Sequence, residues 1–165
     1  MVFVYEYARE IPVDAPAAFA WLTDFQEEDA RFFGAGAVRE VERAGPDSVR
    51  LVRIERRGKS EERFEGTVTL EPPLAWRYAG IMHREGKHVA ELRAQYRLES
   101  LGPSHSRYSL RFEAQPLSLG IRVAVRLFPG RARVRGTQEK VLGGLVAELG
   151  GEASPSGDLR PPQPL

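Results

Sequence analysis

Apolar and polar residues alternate along most of this chain, and a period of two places successive side chains on opposite faces of an extended strand. The alternating runs cover residues 2–11, 37–43, 48–57, 61–71, 75–83, 87–101 and 107–115, and each is predicted to be a strand. Between the later runs stand Ala44-Gly45-Pro46-Asp47, Gly58-Lys59, Pro72-Pro73, Arg84-Glu85-Gly86 and Gly102-Pro103-Ser104. Connections this short make consecutive strands antiparallel neighbours. Two interruptions have a different period. After Pro12, Asp14 is a good N-cap for a helix over residues 15–23, with Pro16 in its first turn. That helix would bury Phe19 and Leu22, with Ala18 or Trp21 beside them. A shorter helical turn is expected at residues 26–33, ended by Gly34 and Gly36.

The second interruption is residues 117–149, the one apolar helix long enough to close off a curved sheet. In its second half Val134, Val141, Leu142, Leu145 and Leu149 recur at three- and four-residue steps, with Glu139, Lys140 and Glu148 on other faces. Gly150-Gly151 supplies a stop. Pro129-Gly130 should break the helix, giving a piece over residues 119–127 and the main one after Gly130. The break is either a bend or a lid over a cavity mouth. Residues 1–150 then form one domain, and residues 151–165, rich in proline and without periodicity, a disordered tail.

The late strands each have one wet face and one apolar face. The apolar face gathers Phe64 and Val68, then Trp76, Tyr78 and Met82, then Leu92, Ala94 and Tyr96, then Tyr108, Leu110 and Phe112. Leu142 and Leu145 of the last helix would cover it. Gly66, Gly80, Ala90, Ala94 and Ala114 are interspersed, and such small residues either leave volume for a ligand or make room for the helix. These side chains are the expected lining of a ligand cavity. The fold class is α+β: a curved antiparallel sheet wrapped around a long C-terminal helix, with two short helices after the first strand.

The stretch Ile11-Pro-Val-Asp-Ala-Pro-Ala-Ala-Phe-Ala-Trp-Leu-Thr-Asp-Phe25, together with the striped last helix, resembles the START-like (SRPBCC, helix-grip) superfamily. That group takes in polyketide cyclases, pollen-allergen-type carriers and lipid-transfer domains. The resemblance spans residues 2–149 and implies an apolar cavity between sheet and helix. It implies no universal catalytic residue.

Composition narrows the chemistry. Lys and Arg total 24 against 23 Asp and Glu, so no global pull toward nucleic acid exists, and nucleic acid is not an expected partner. Cysteine is absent, which excludes disulfides, thiolate metal sites and cysteine nucleophiles. The N-terminus lacks the features of a signal peptide and no apolar run approaches a membrane span, so a cytoplasmic location is expected.

Three sets of polar residues are candidates for function. His83 and His88 flank one hairpin turn, but no third ligand presents itself beyond Glu85 or Glu91, so neither a metal nor another cofactor is expected. Glu62, His88 and Tyr96 share faces with apolar residues and are the candidate catalytic groups, able in principle to polarise a carbonyl and move a proton. Tyr78 and Tyr108 could add hydroxyls. Arg122, Arg126, Arg131 and Arg135, with Arg133 among them, form a basic cluster suited to transient contact with a membrane surface. The alternating charges of Arg53-Ile-Glu-Arg-Arg and Glu61-Glu-Arg-Phe-Glu65 are expected to make cross-strand ion pairs as scaffold. The expected function is binding of a hydrophobic small molecule, lipid-like or polyketide-like, by a non-catalytic carrier or sensor. The alternatives are a cyclase- or dehydratase-like enzyme and an interaction module whose cavity is filled.

Overall fold

The computed structural model describes residues 2–117 and 130–150. Seven strands, β1 (Phe3–Ile11), β2 (Val38–Gly45), β3 (Ser48–Arg57), β4 (Ser60–Glu71), β5 (Ala75–Arg84), β6 (Lys87–Gly102) and β7 (His105–Pro116), form one antiparallel sheet. Their order is β1-β7-β6-β5-β4-β3-β2, so only β1 leaves the sequential meander, pairing with the last strand. Helix α1 (Ala15–Leu22) and a 3-10 helix (Glu27–Phe33) carry the chain from one edge strand to the other. Helix α2 (Gly130–Leu149) lies in the grip of the sheet. This is the helix-grip arrangement expected from the sequence.

The local reasons are those the sequence offers. Asp14 accepts a hydrogen bond from Ala17 N at 3.3 Å, and Thr23 closes α1 by donating its hydroxyl to Phe19 O at 2.7 Å. Ala15 and Ala18 are buried, and their small size lets α1 sit close to the sheet, with Phe19, Trp21 and Leu22 partly buried around them. The second short helix is 3-10 rather than α. Gly58 and Gly86 take positive φ of 59° and 74° at two hairpin turns, where a Cβ would be strained.

The core lies on the concave face near α1. Ile11, Val49, Val68, Trp76, Leu98, Tyr108 and Leu110 meet Leu142 and Leu145 of α2, both 0% exposed. Trp76 stacks on Tyr96 with ring centroids 5.1 Å apart and planes 3° from parallel. Truncating either buried leucine to alanine would cost about 2–5 kcal/mol. Of the expected helix stripe, Val134 and Leu149 are partly buried against this core; Val146 joins them, whereas Val141 is only half-buried outside it. Polar contacts fix the rest of α2. Tyr7 and Arg9 both donate to Glu139, at 2.7 and 2.5 Å, and Tyr108 donates to Gln138 at 2.5 Å. The expected helical piece at 119–127, the break at Phe128-Pro129 and the tail at 151–165 lie outside the described residues.

Candidate functional site

Strand pairing fixes which side chains share the concave face. One row across the sheet runs Leu51, Gly66, Gly80, Leu92, Ala114, and the next runs Arg53, Phe64, Met82, Ala90. The expected lining residues divide between two zones. Val68, Trp76, Tyr108, Leu110, Leu142 and Leu145 belong to the packed core, as does Ala94 at 1% exposure. Leu92 is buried as well, at 5%. Phe64, Tyr78, Met82, Tyr96 and Phe112 are half-buried and form the more exposed, looser part of the concave face, with Tyr78, Tyr96 and Phe112 packed against the edge of that core. Tyr78, paired with Val68 and Ala94, leans over the two glycines of the neighbouring row. A Cβ on Gly66 would come within 2.7 Å of its ring, and one on Gly80 would overlap its hydroxyl. Any side chain at those positions would therefore lift Tyr78 away from the sheet.

Beside this apolar surface stands a charged cluster, of which the sequence reading assigned Arg53 and Glu55 to scaffold, Glu62 to the candidate catalytic groups as well, and Arg133 to the basic cluster. Arg53 shares its face with Val49 and Leu51, and Arg39 shares its face with Val41. Their position in the alternation was therefore readable, but their charge argued against an inward orientation. The Arg53 guanidinium packs against two rings, its carbon 4.0 Å from the centre of Phe33 and 4.2 Å from that of Phe64. Its Nε lies 2.9 Å from Glu55 Oε1 but without the alignment of a hydrogen bond. Arg39 pairs with Asp29 at 3.2 Å and faces the rings of Phe25 and Phe33. From α2, Arg133 reaches Glu55 at 2.5 Å and Glu62 at 2.7 Å, and Arg84 reaches Glu62 at 2.6 Å.

These contacts decide what the candidate catalytic groups can do. Burial opposes the charge of Glu62, but the ion pair with Arg133 and the hydrogen bond from Arg84 outweigh it and hold the carboxyl below its ordinary pKa. An ionised carboxylate tied to two arginines is a poor proton donor at neutral pH. Burial raises the Tyr96 pKa, with Arg53 and Arg39 opposing the rise, and pushes Tyr78 up to about 12, again against Arg53. Both hydroxyls therefore stay protonated and act as donors, and neither has a hydrogen-bond partner among the described residues. Tyr108 differs, since its hydroxyl is occupied by Gln138.

His88 does not share the face of Ala90. A bulge lets Met82 pair with Ala90 while His83 pairs with His88, which moves His88 to the outer face and exposes it. The two imidazoles stand 5.6 Å apart, and no group of three or more metal-ligating side chains surrounds them among the described residues. His105 is half-exposed, with Nε2 4.0 Å from Glu10. Of the basic cluster, Arg131 and Arg135 are exposed on α2, while Arg122 and Arg126 lie outside the described residues. Arg131 and Arg135 border an open depression of about 610 Å³ between α2 and β1, shared with Tyr5 and Arg9. A larger open depression, about 1030 Å³, lies on the convex face around Ala8, Ala75, Arg77, Gln95, Arg97 and Arg111.

By sequence, no protein-family model and no curated protein matches the chain. By structure, it is similar to the Zhui aromatase/cyclase of Streptomyces sp. R1128 at 14% identity and TM-score 0.69, covering 95% of this chain and 99% of that one. It is similar to norcoclaurine synthase of Thalictrum flavum at 11% identity and TM-score 0.69, covering 90% and 96%. It also matches the two-domain aromatase/cyclase BexL of the BE-7585A biosynthetic pathway at 14% identity and TM-score 0.69, covering 93% of this chain and 51% of that one. At these identities the likeness establishes the shared fold.

Proposed function

We propose that this protein binds an apolar small molecule on the concave face, between β4–β7 and α2, as a carrier or sensor. The observation that carries the reading is the contrast within that face. The end near α1 is sealed by packed side chains, while the half-buried Phe64, Tyr78, Met82, Tyr96 and Phe112 stand beside two hydroxyls that donate to no described group. A buried tyrosine hydroxyl ordinarily finds an acceptor. A ligand oxygen would supply it, and apolar burial at about 25 cal/mol per Å² would supply most of the affinity.

A second reading, a cyclase-like enzyme, is favoured by the similarity in fold to two aromatase/cyclases and norcoclaurine synthase. Tyr78 and Tyr96 could polarise a carbonyl there. With Glu62 ion-paired and His88 on the outer face, the proton-moving group of such an enzyme would have to be found elsewhere. Native mass spectrometry of freshly purified protein, before and after incubation with the neutral dye N-phenyl-1-naphthylamine, tests the binding reading. A discrete adduct of small-molecule mass is expected in at least one sample. The bare protein mass in both would favour a filled concave face and an interaction module.

A further inference from the structure

We infer that Arg53 is the anchor of a half-buried oxyanion subsite, which takes the carboxylate or enolate end of an otherwise apolar, planar ligand. The inference rests on the binding reading above and adds to it a charge and a direction for the ligand.

Packing dictates the geometry. With the centres of Phe33 and Phe64 4.0 and 4.2 Å from its carbon, the guanidinium is crowded by two rings, and its N–H donors lie in its own plane. The Nε edge lies beside Glu55. The remaining edge, carrying both Nη atoms, makes no hydrogen bond among the described residues, and a planar two-oxygen group matches that pair of parallel donors. The surroundings favour an anion there. Arg39, Arg53, Arg84 and Arg133 face Asp29, Glu55 and Glu62, leaving the cluster named here one positive charge in excess. The charge of Arg53 also acts on the hydroxyls of Tyr78 and Tyr96, so two further donors lie within its field. Tyr78 is directed toward this corner because its ring rests on Gly66 and Gly80, the row next to Arg53 and Phe64. The Arg53 side chain is 26% exposed, so its Nη edge is open to a ligand that arrives from solvent.

The test compares two nearly isosteric probes, 2-naphthoate and 2-naphthamide, by calorimetry on the full chain. The wild-type protein is expected to bind the naphthoate more tightly by on the order of tenfold, the worth of a charged hydrogen-bonded pair. Arg53→Met should reduce that preference to near unity, with a thermal melt confirming that the variant is folded. Tyr96→Phe, which keeps the ring and removes one donor, should lower the preference several-fold and serves if Arg53→Met does not fold. Equal wild-type affinity for the two probes, or a preference that survives in the variants, overturns the subsite while leaving apolar binding intact. If wild-type protein takes up neither these probes nor N-phenyl-1-naphthylamine, the subsite and the binding reading fall together.

Discussion

The inward-facing ions are the residues on which stability and function meet. Burying a carboxylate such as Glu62, whose side chain is only 7% exposed, carries a large desolvation cost that pairing must offset. Arg133 and Arg84 provide that pairing and leave its pKa below the ordinary value of 4.5. A carboxyl with a depressed folded pKa contributes stability above its unfolded pKa and loses it as pH falls through the folded one. The acid limb of the stability profile should therefore be shallower in Glu62→Gln than in wild type. At neutral pH that variant should be less stable by roughly 1.5–3 kcal/mol, the range for hydrogen bonds to charged groups. Urea denaturation across acid and neutral pH measures both effects. Superimposable acid limbs would mean that Glu62 does not carry the linkage. The cluster was only half legible in the sequence. Alternation with Val49 and Leu51 places Arg53 and Glu55 inward, but only the structure shows Arg133 arriving from a distant helix and Phe33 and Phe64 packing against the guanidinium.

At the scale of elements, α2 depends on its surroundings. Gly136, Gly143 and Gly144 weaken it as an isolated helix, and its register is set by Leu142, Leu145 and the polar contacts of Gln138 and Glu139. The three glycines are not equivalent. A Cβ would meet nothing within 4 Å at Gly136 and Gly143, whereas at Gly144 it would lie 2.9 Å from the Phe32 ring. Gly136→Ala and Gly143→Ala should each stabilise the protein by about 0.5–1 kcal/mol in chemical denaturation. Gly144→Ala should gain less than either, or lose stability. An equal gain at all three would show that the Phe32 contact does not constrain the helix. Element existence was legible because period-two and period-3.6 patterns are distinct and the turns carry glycine or proline. The position of His88 was not, because one extra residue opposite the Met82–His83 step moves it to the outer face. Nothing in the local sequence marks that bulge.

For the molecule as a whole, the meander and the pairing of β1 with β7 give two faces with different chemistry. The convex face is largely charged and solvated, with pairs such as Arg111–Glu6, Arg107–Glu10 and Arg50–Glu65. Such exposed pairs contribute little individually. The concave face holds the core at one end and the half-buried aromatic and small residues at the other. Its apolar character was legible from alternation alone. Its division into packed core and looser half was not, since Trp76 and Tyr78 look alike in sequence, whereas one stacks on Tyr96 and the other rests on Gly66 and Gly80. The central claim is that ligands enter this looser half rather than the 1030 Å³ depression on the convex face. Methyl-resolved NMR during titration with N-phenyl-1-naphthylamine tests it most directly. Shifts concentrated at Met82, Ala90 and Leu92 are expected, with Ala8 and Ala75 unchanged. Shifts centred on Ala8 and Ala75, or none at saturating dye, would contradict it.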